Sequence, residues 1–138
     1  MVTRRDFLLV NVSAGIAALL PSVLRRGLTT QEQQTLLAVA RTIFPHDNVP
    51  DRVYLRAIAR VDARCRADPT IANALARGLT ALEWACPNSF ARMSASARIS
   101  VLRVIRSGRF FNVAYAELLE ALYGPPEMWM LFVPTGAA

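Results

Sequence analysis

The sequence predicts an all-α fold: a small orthogonal bundle of about five helices after an N-terminal signal segment, with an extended apolar C-terminal tail. Three observations predict it. From Thr30 onward apolar residues recur at helical spacing, no alternating stretch reaches a useful strand length, and Ser, Thr, Asp, Pro and Gly fall where helices start and stop. At 138 residues and 54% hydrophobic content, the chain is one domain's worth with a surplus of apolar side chains. Such a surplus implies burial against a partner.

The first helix is expected from Thr30, whose spacing to Gln33 is that of a capping box. Leu36, Leu37, Val39, Ala40, Ile43 and Phe44 form its inward face, and Pro45 stops it. After the loop from Pro45 to Pro50, Asp51 is placed to cap a second helix with Tyr54, Ile58, Val61 and Cys65 inward. Arg52, Arg56, Arg60 and Arg64 recur on its other side. Asp68-Pro69 opens a third helix with Ile71, Leu75, Leu79 and Leu82 inward, ending after Trp84 near Pro87. Ser94 or Ser96 caps a fourth, with Ile99, Leu102 and Ile105 inward and Ser107-Gly108 as its stop. The fifth runs from about Phe110 to Tyr123, with Phe111, Ala114, Tyr115, Leu118 and Leu122 on one side, and Gly124-Pro125-Pro126 closes it. The tail from Glu127 to Ala138 contains an unbroken apolar run from Met128 to Val133. So long a run cannot all face the core of a small domain, so it inserts into a partner or folds back as a lid.

Residues 1–28 read as a twin-arginine export segment, leaving 29–138 as the helical domain. Thr3-Arg4-Arg5-Asp6-Phe7-Leu8 matches the Ser/Thr-Arg-Arg-x-Phe-Leu pattern at the N-terminus, and Phe7 to Leu24 is apolar but interrupted by Asn11, Ser13, Gly15 and Pro21. No Ala-x-Ala precedes Arg25, which leaves a retained anchor or a plain amphipathic first helix as the other readings. The route carries folded cargo, chiefly proteins that receive a cofactor in the cytoplasm. The net charge of +6 falls to +3 beyond Thr29, and every basic residue is arginine. That composition reflects a GC-rich genome more than nucleic-acid binding, and no nucleic-acid partner is expected.

Little catalytic chemistry is visible. There is no dinucleotide turn or phosphate loop, no Cys-x-x-Cys-His, and a single histidine, His46, excludes paired-histidine metal sites. His46-Asp47 lies between Pro45 and Pro50, with no nucleophile nearby in sequence, and reads as a loop residue that satisfies local hydrogen bonds or meets a partner. Catalysis or axial haem ligation is the alternative. Cys65 and Cys86 admit a disulfide in an oxidising compartment, or are two ordinary core thiols. The arginines of the second helix are a solvated face or a docking stripe.

Three segments carry a resemblance: the export motif; Ala40-Arg41-Thr42-Ile43-Phe44-Pro45-His46-Asp47 with Pro50-Asp51 and Tyr54; and Leu122-Tyr123-Gly124-Pro125-Pro126-Glu127-Met128-Trp129. In order and spacing the chain resembles the small subunit of periplasmic flavin-dependent sugar and sugar-acid dehydrogenases, the gluconate 2-dehydrogenase subunit 3 family. The second segment is most similar to small subunits of FAD-dependent glucose dehydrogenase complexes. Near the end, Val133-Pro134-Thr135-Gly136 stands where the family has Gly-Tyr-x-Gly. The resemblance implies a noncatalytic periplasmic subunit with no cofactor of its own. Its implied partners are a large FAD-binding dehydrogenase subunit, the twin-arginine translocase and a multihaem cytochrome c. The docking residues expected are Phe44, Pro45, His46, Arg52, Tyr54, Arg56, Tyr123, Trp129, Met130 and Phe132. A free-standing periplasmic helical binding protein or small enzyme with its own cofactor is the alternative reading.

Overall fold

Six α-helices and one 3₁₀ turn make up the regular structure of residues 27–132, the part of the chain that the computed structural model describes. They are α1 (Thr30–Ile43), α2 (Asp51–Ala67), α3 (Pro69–Ala85), the 3₁₀ turn Phe90–Arg92, α4 (Ala95–Ile105), α5 (Arg109–Tyr123) and α6 (Pro126–Phe132). The export-motif residues Thr3, Arg4, Arg5, Phe7 and Leu8 lie outside the described residues.

Local chemistry sets the boundaries. The cap of α1 is Thr29, one residue earlier than the spacing predicts: its hydroxyl accepts from the Glu32 amide at 3.1 Å, while the Gln33 side chain donates to Leu28 O. Asp51 does not cap α2 either. Pro50 holds that position without a side-chain bond, and Asp51, already helical, turns its carboxylate to Arg41. At the α2–α3 corner one residue does two jobs. The Asp68 amide donates to Arg64 O and its carboxylate accepts from the Thr70 amide at 2.9 Å, with Pro69 in the first turn of α3. Ser94, not Ser96, caps α4 by accepting from the Ala97 amide.

The core forms where α5 lies across α2 and α3, which also pack on each other. α1 closes it from the side of α2, α3, α4 and the 3₁₀ turn. Tyr54, Ile58, Leu75, Leu79, Leu82, Phe90, Leu118 and Leu122 are essentially inaccessible to water. Each such large apolar side chain contributes about 1.5–3 kcal/mol through burial. The inward stripes of α2 and α3 agree with the sequence pattern, and on α4 and α5 Leu102, Ile105, Ala114, Leu118 and Leu122 are buried as expected, with two exceptions. Val101 takes the place expected for Ile99, which is 41% exposed, and Phe110 and Ala121 are buried on α5 where Tyr115 is 41% exposed. Through Phe132 the apolar run after Pro126 is helical rather than extended, starting at a proline whose fixed φ suits a first turn, and Met128 is its buried residue. Cys65 and Cys86 are both buried thiols, not a disulfide.

Gly78 marks the closest approach of α3 and α5. A Cβ built there would fall 2.0 Å from ring carbons of Phe110 and 2.5 Å from its Cβ, so the ring cannot swing clear cheaply. Alanine normally favours a helix over glycine by about 1 kcal/mol. Here overpacking outweighs that gain, and Gly78→Ala is expected to lower stability by about 1–3 kcal/mol in urea unfolding. A stabilised variant would contradict this packing.

Candidate functional site

The site begins with Arg41, in the last turn of α1. Its Nε and Nη2 donate to Asp51 Oδ1 at 2.9 and 2.6 Å, its Nη1 donates to His46 O at 3.0 Å, and its guanidinium carbon lies 4.1 Å from the centre of the Tyr54 ring. One cation thus joins α1, the 44–50 loop and the start of α2. Tyr54 is fully buried, and its hydroxyl donates to Phe44 O at 2.5 Å, satisfying the carbonyl where α1 ends.

Held by this clamp, His46 turns its ring toward α5 and α6. Its Nε2 hydrogen-bonds the Tyr123 hydroxyl, and its ring centre lies 4.7 Å from that of Phe132. Tyr123 lies 5.0 Å from Phe132 and 5.7 Å from Phe44, in the tilted and edge-on geometries that aromatic quadrupoles prefer. The Trp129 indole donates to Tyr123 O at 2.5 Å, which seats α6 on the end of α5. From Tyr123 back along α5, Leu119, Tyr115 and Phe111 follow at four-residue intervals on one side of the helix. Phe44 lies tilted at 5.3 Å against Tyr115, which stacks at 6.1 Å on Phe111.

Among the expected docking residues, the structure brings Phe44, Pro45, His46, Tyr54, Tyr123, Trp129 and Phe132 into one neighbourhood. Tyr54 and Phe44 are buried supports there and offer a partner no surface. Trp129 and Met130 face solvent, at 58% and 76% exposure, with Leu131 beside them. Tyr115 and Leu119 extend the exposed apolar surface and were hidden in the sequence by the inward stripe of the same helix. Their four-residue spacing with Phe111 and Tyr123 is the signal that identifies them.

The arginine stripe of α2 divides. Arg60 pairs with Glu127 at 2.8 Å and Arg64 with Glu117 at 3.3 Å, linking α2 to α6 and α5, whereas Arg52 and Arg56 are exposed and make no ion pair among the described residues. With Glu127 at Arg60 and Phe132 at His46, α6 runs back along α2 towards its N-terminal end. An open groove of about 680 Å³ borders the site on its other side, lined by His46, Asp47, Asp51, Arg41 and Arg98 among others. Among the described residues no group of three or more His, Cys, Asp and Glu side chains could hold a metal ion.

Burial raises the Tyr123 hydroxyl above its ordinary pKa of 10.0, with Tyr54 and Tyr115 adding to the effect. It raises Tyr54 as well, against the opposing charge of Arg41. Burial, followed by the negative charge of Glu83, pushes the Cys86 thiol from 9.0 to about 11. The folded chain therefore holds these three protons more tightly than the unfolded chain does. Stability is fully present below about pH 9 and falls as pH rises above it, because the unfolded state then binds fewer protons. Urea unfolding between pH 8 and 11 should show this decline, shallower in Cys86→Ala; a flat or rising profile would contradict it. In comparisons with known proteins, the chain matches no family model, no curated protein and no solved structure.

Proposed function

We propose that this chain is the noncatalytic small subunit of a periplasmic, FAD-dependent sugar or sugar-acid dehydrogenase complex. Residues 1–28 supply a twin-arginine signal for both chains, and the helical domain escorts and stabilises the large flavoprotein. FAD resides in that large subunit, and a multihaem cytochrome c accepts its electrons. The observation that carries the reading is the solvent-exposed apolar ridge of α6, Trp129, Met130 and Leu131, with Tyr115 and Leu119 also exposed on α5, the helix against which α6 packs. Aromatic and Met side chains of this kind populate the centres of protein interfaces, and on an isolated small domain they are an unfavourable surface.

The ridge is also pre-organised. Trp129 is fixed by its indole bond to Tyr123 O, and the segment beneath it by Met128 in the core and Phe132 against His46. Little side-chain entropy remains to be lost on docking, which favours affinity. Arg52 and Arg56 lie on the stripe that α6 follows and suit carboxylates at the rim of a partner's apolar pocket. The alternative, a free-standing binding protein or small enzyme with its own cofactor, has the groove beside His46 in its favour. A visible absorption band in the purified chain would select it.

Co-expression with the large flavoprotein tests the proposal. Met130→Asp is expected to fold normally, because that side chain is 76% exposed and the seat of α6 at Trp129 is untouched, and to weaken co-purification by at least about tenfold. Arg4→Lys/Arg5→Lys should leave the flavoprotein in the cytoplasm. Unchanged co-purification would overturn the docking ridge, and a flavoprotein exported at normal yield without this chain would overturn the escort role.

A further inference from the structure

The charge of the domain is segregated. Residues 84–116 carry five arginines, Arg92, Arg98, Arg103, Arg106 and Arg109, and no Asp or Glu, whereas residues 27–83 and 117–132 together carry seven arginines and nine carboxylates. The net positive charge of the domain is therefore confined to the stretch from the 3₁₀ turn through α4 to the start of α5. None of those five arginines makes an ion pair among the described residues, while Arg41, Arg60, Arg64 and Arg66 in the remainder do.

Geometry gathers part of this charge on one face. Ile99, Arg103 and Arg106 are spaced four and three residues apart and so share one side of α4, all exposed, and the turn at Ser107-Gly108 delivers Arg109 next to them. Arg109 also lines a recess of about 330 Å³ with Thr70, Asn73, Ala74, Arg77 and Phe110, which brings two guanidinium groups, a hydroxyl and an amide to one hollow whose lining holds no carboxylate. The nearest acid in sequence, Asp68, is engaged in capping the Thr70 amide. Guanidinium forks match the oxygens of phosphate, and a hollow of this size admits one phosphate group.

We infer that the α4–α5 corner is a peripheral docking face for an anionic phospholipid surface, with a headgroup phosphate held by Arg109 at the recess it lines and with Arg103, Arg106 and the apolar Ile99 meeting the interface around it. A single free anion would leave the outer arginines without a role, whereas an extended anionic leaflet engages all of them. A protein partner fits less well, because this corner exposes none of the aromatic side chains on which protein interfaces centre and which the α6 ridge presents. Among the described residues no helix is long and apolar enough to cross a membrane, so attachment through this domain would be to the surface. The inference does not rest on the escort proposal.

Vesicle co-sedimentation of the full chain tests it, with phosphatidylglycerol–phosphatidylcholine vesicles against phosphatidylcholine alone. Because the N-terminal segment carries its own arginines, the comparison that decides is between variants of the corner. Each arginine near an anionic leaflet contributes roughly fivefold, so Arg103→Gln/Arg106→Gln/Arg109→Gln should bind roughly 100-fold more weakly at unchanged melting temperature. The corresponding triple lysine variant should retain most of the binding, and added salt should weaken it. Equal binding by the glutamine variant, or equal binding to neutral vesicles, would overturn the inference. Binding to polyglutamate or to a DNA duplex in preference to anionic vesicles would also overturn it and assign the face to a protein or a nucleic acid.

Discussion

The arrangement of the candidate site depends on the guanidinium group of Arg41. It is the only side chain that at once neutralises Asp51, holds the His46 carbonyl and covers the Tyr54 ring among the contacts described here. None of these contacts is strong alone: Asp51 is largely exposed, and an ion pair of that kind is worth at most about 1 kcal/mol. Their value is positional. Pro45 and Pro50 restrict the loop, the clamp fixes its register against α1 and α2, and His46 is thereby presented to Tyr123 and Phe132. The seat of α6, and with it the direction in which Trp129 and Met130 project, follows from that placement.

Much of this was legible in the sequence. Helix positions, the Asp68-Pro69 corner and the inward faces of α2 and α3 all follow from period and capping chemistry, because those helices carry polar residues on one side and apolar residues on the other. α4 and α5 are harder for the same reason. On α5, Phe110, Ala114 and Leu118 point inward while Tyr115 and Leu119 are exposed and Phe111 is half-buried against the core, so two apolar stripes compete and pattern alone does not choose between them. The stripe of α2 arginines failed as a unit for a different cause. Arg60 and Arg64 found carboxylates on helices distant in sequence, a tertiary outcome that spacing within one helix does not encode.

The domain presents two surfaces of opposite character. Around α6 the exposed residues are aromatic and aliphatic on a rigid support, the composition of a site that buries itself in another protein. Around the α4–α5 corner Arg103, Arg106 and Arg109 make no ion pair among the described residues, a composition suited to an extended anionic surface. A small subunit that meets a large flavoprotein through one and a membrane surface through the other would hold its complex at the bilayer without a spanning helix of its own domain. The two faces share only α5, which contributes Arg109 at its start to one and Tyr115 and Leu119 further along to the other, so each can be altered while the other is left intact.

The central claim is that Arg41 seats the loop that in turn seats α6, and hydrogen exchange at the Trp129 indole reads it directly. That N–H is tied to Tyr123 O, at the far end of the chain of contacts from Arg41. In Arg41→Gln, the account predicts faster exchange at the Trp129 indole and at the amides of 126–132, with protection of the α3 core amides retained. Unaltered exchange across α6, or an equal loss of protection throughout the domain, would contradict it.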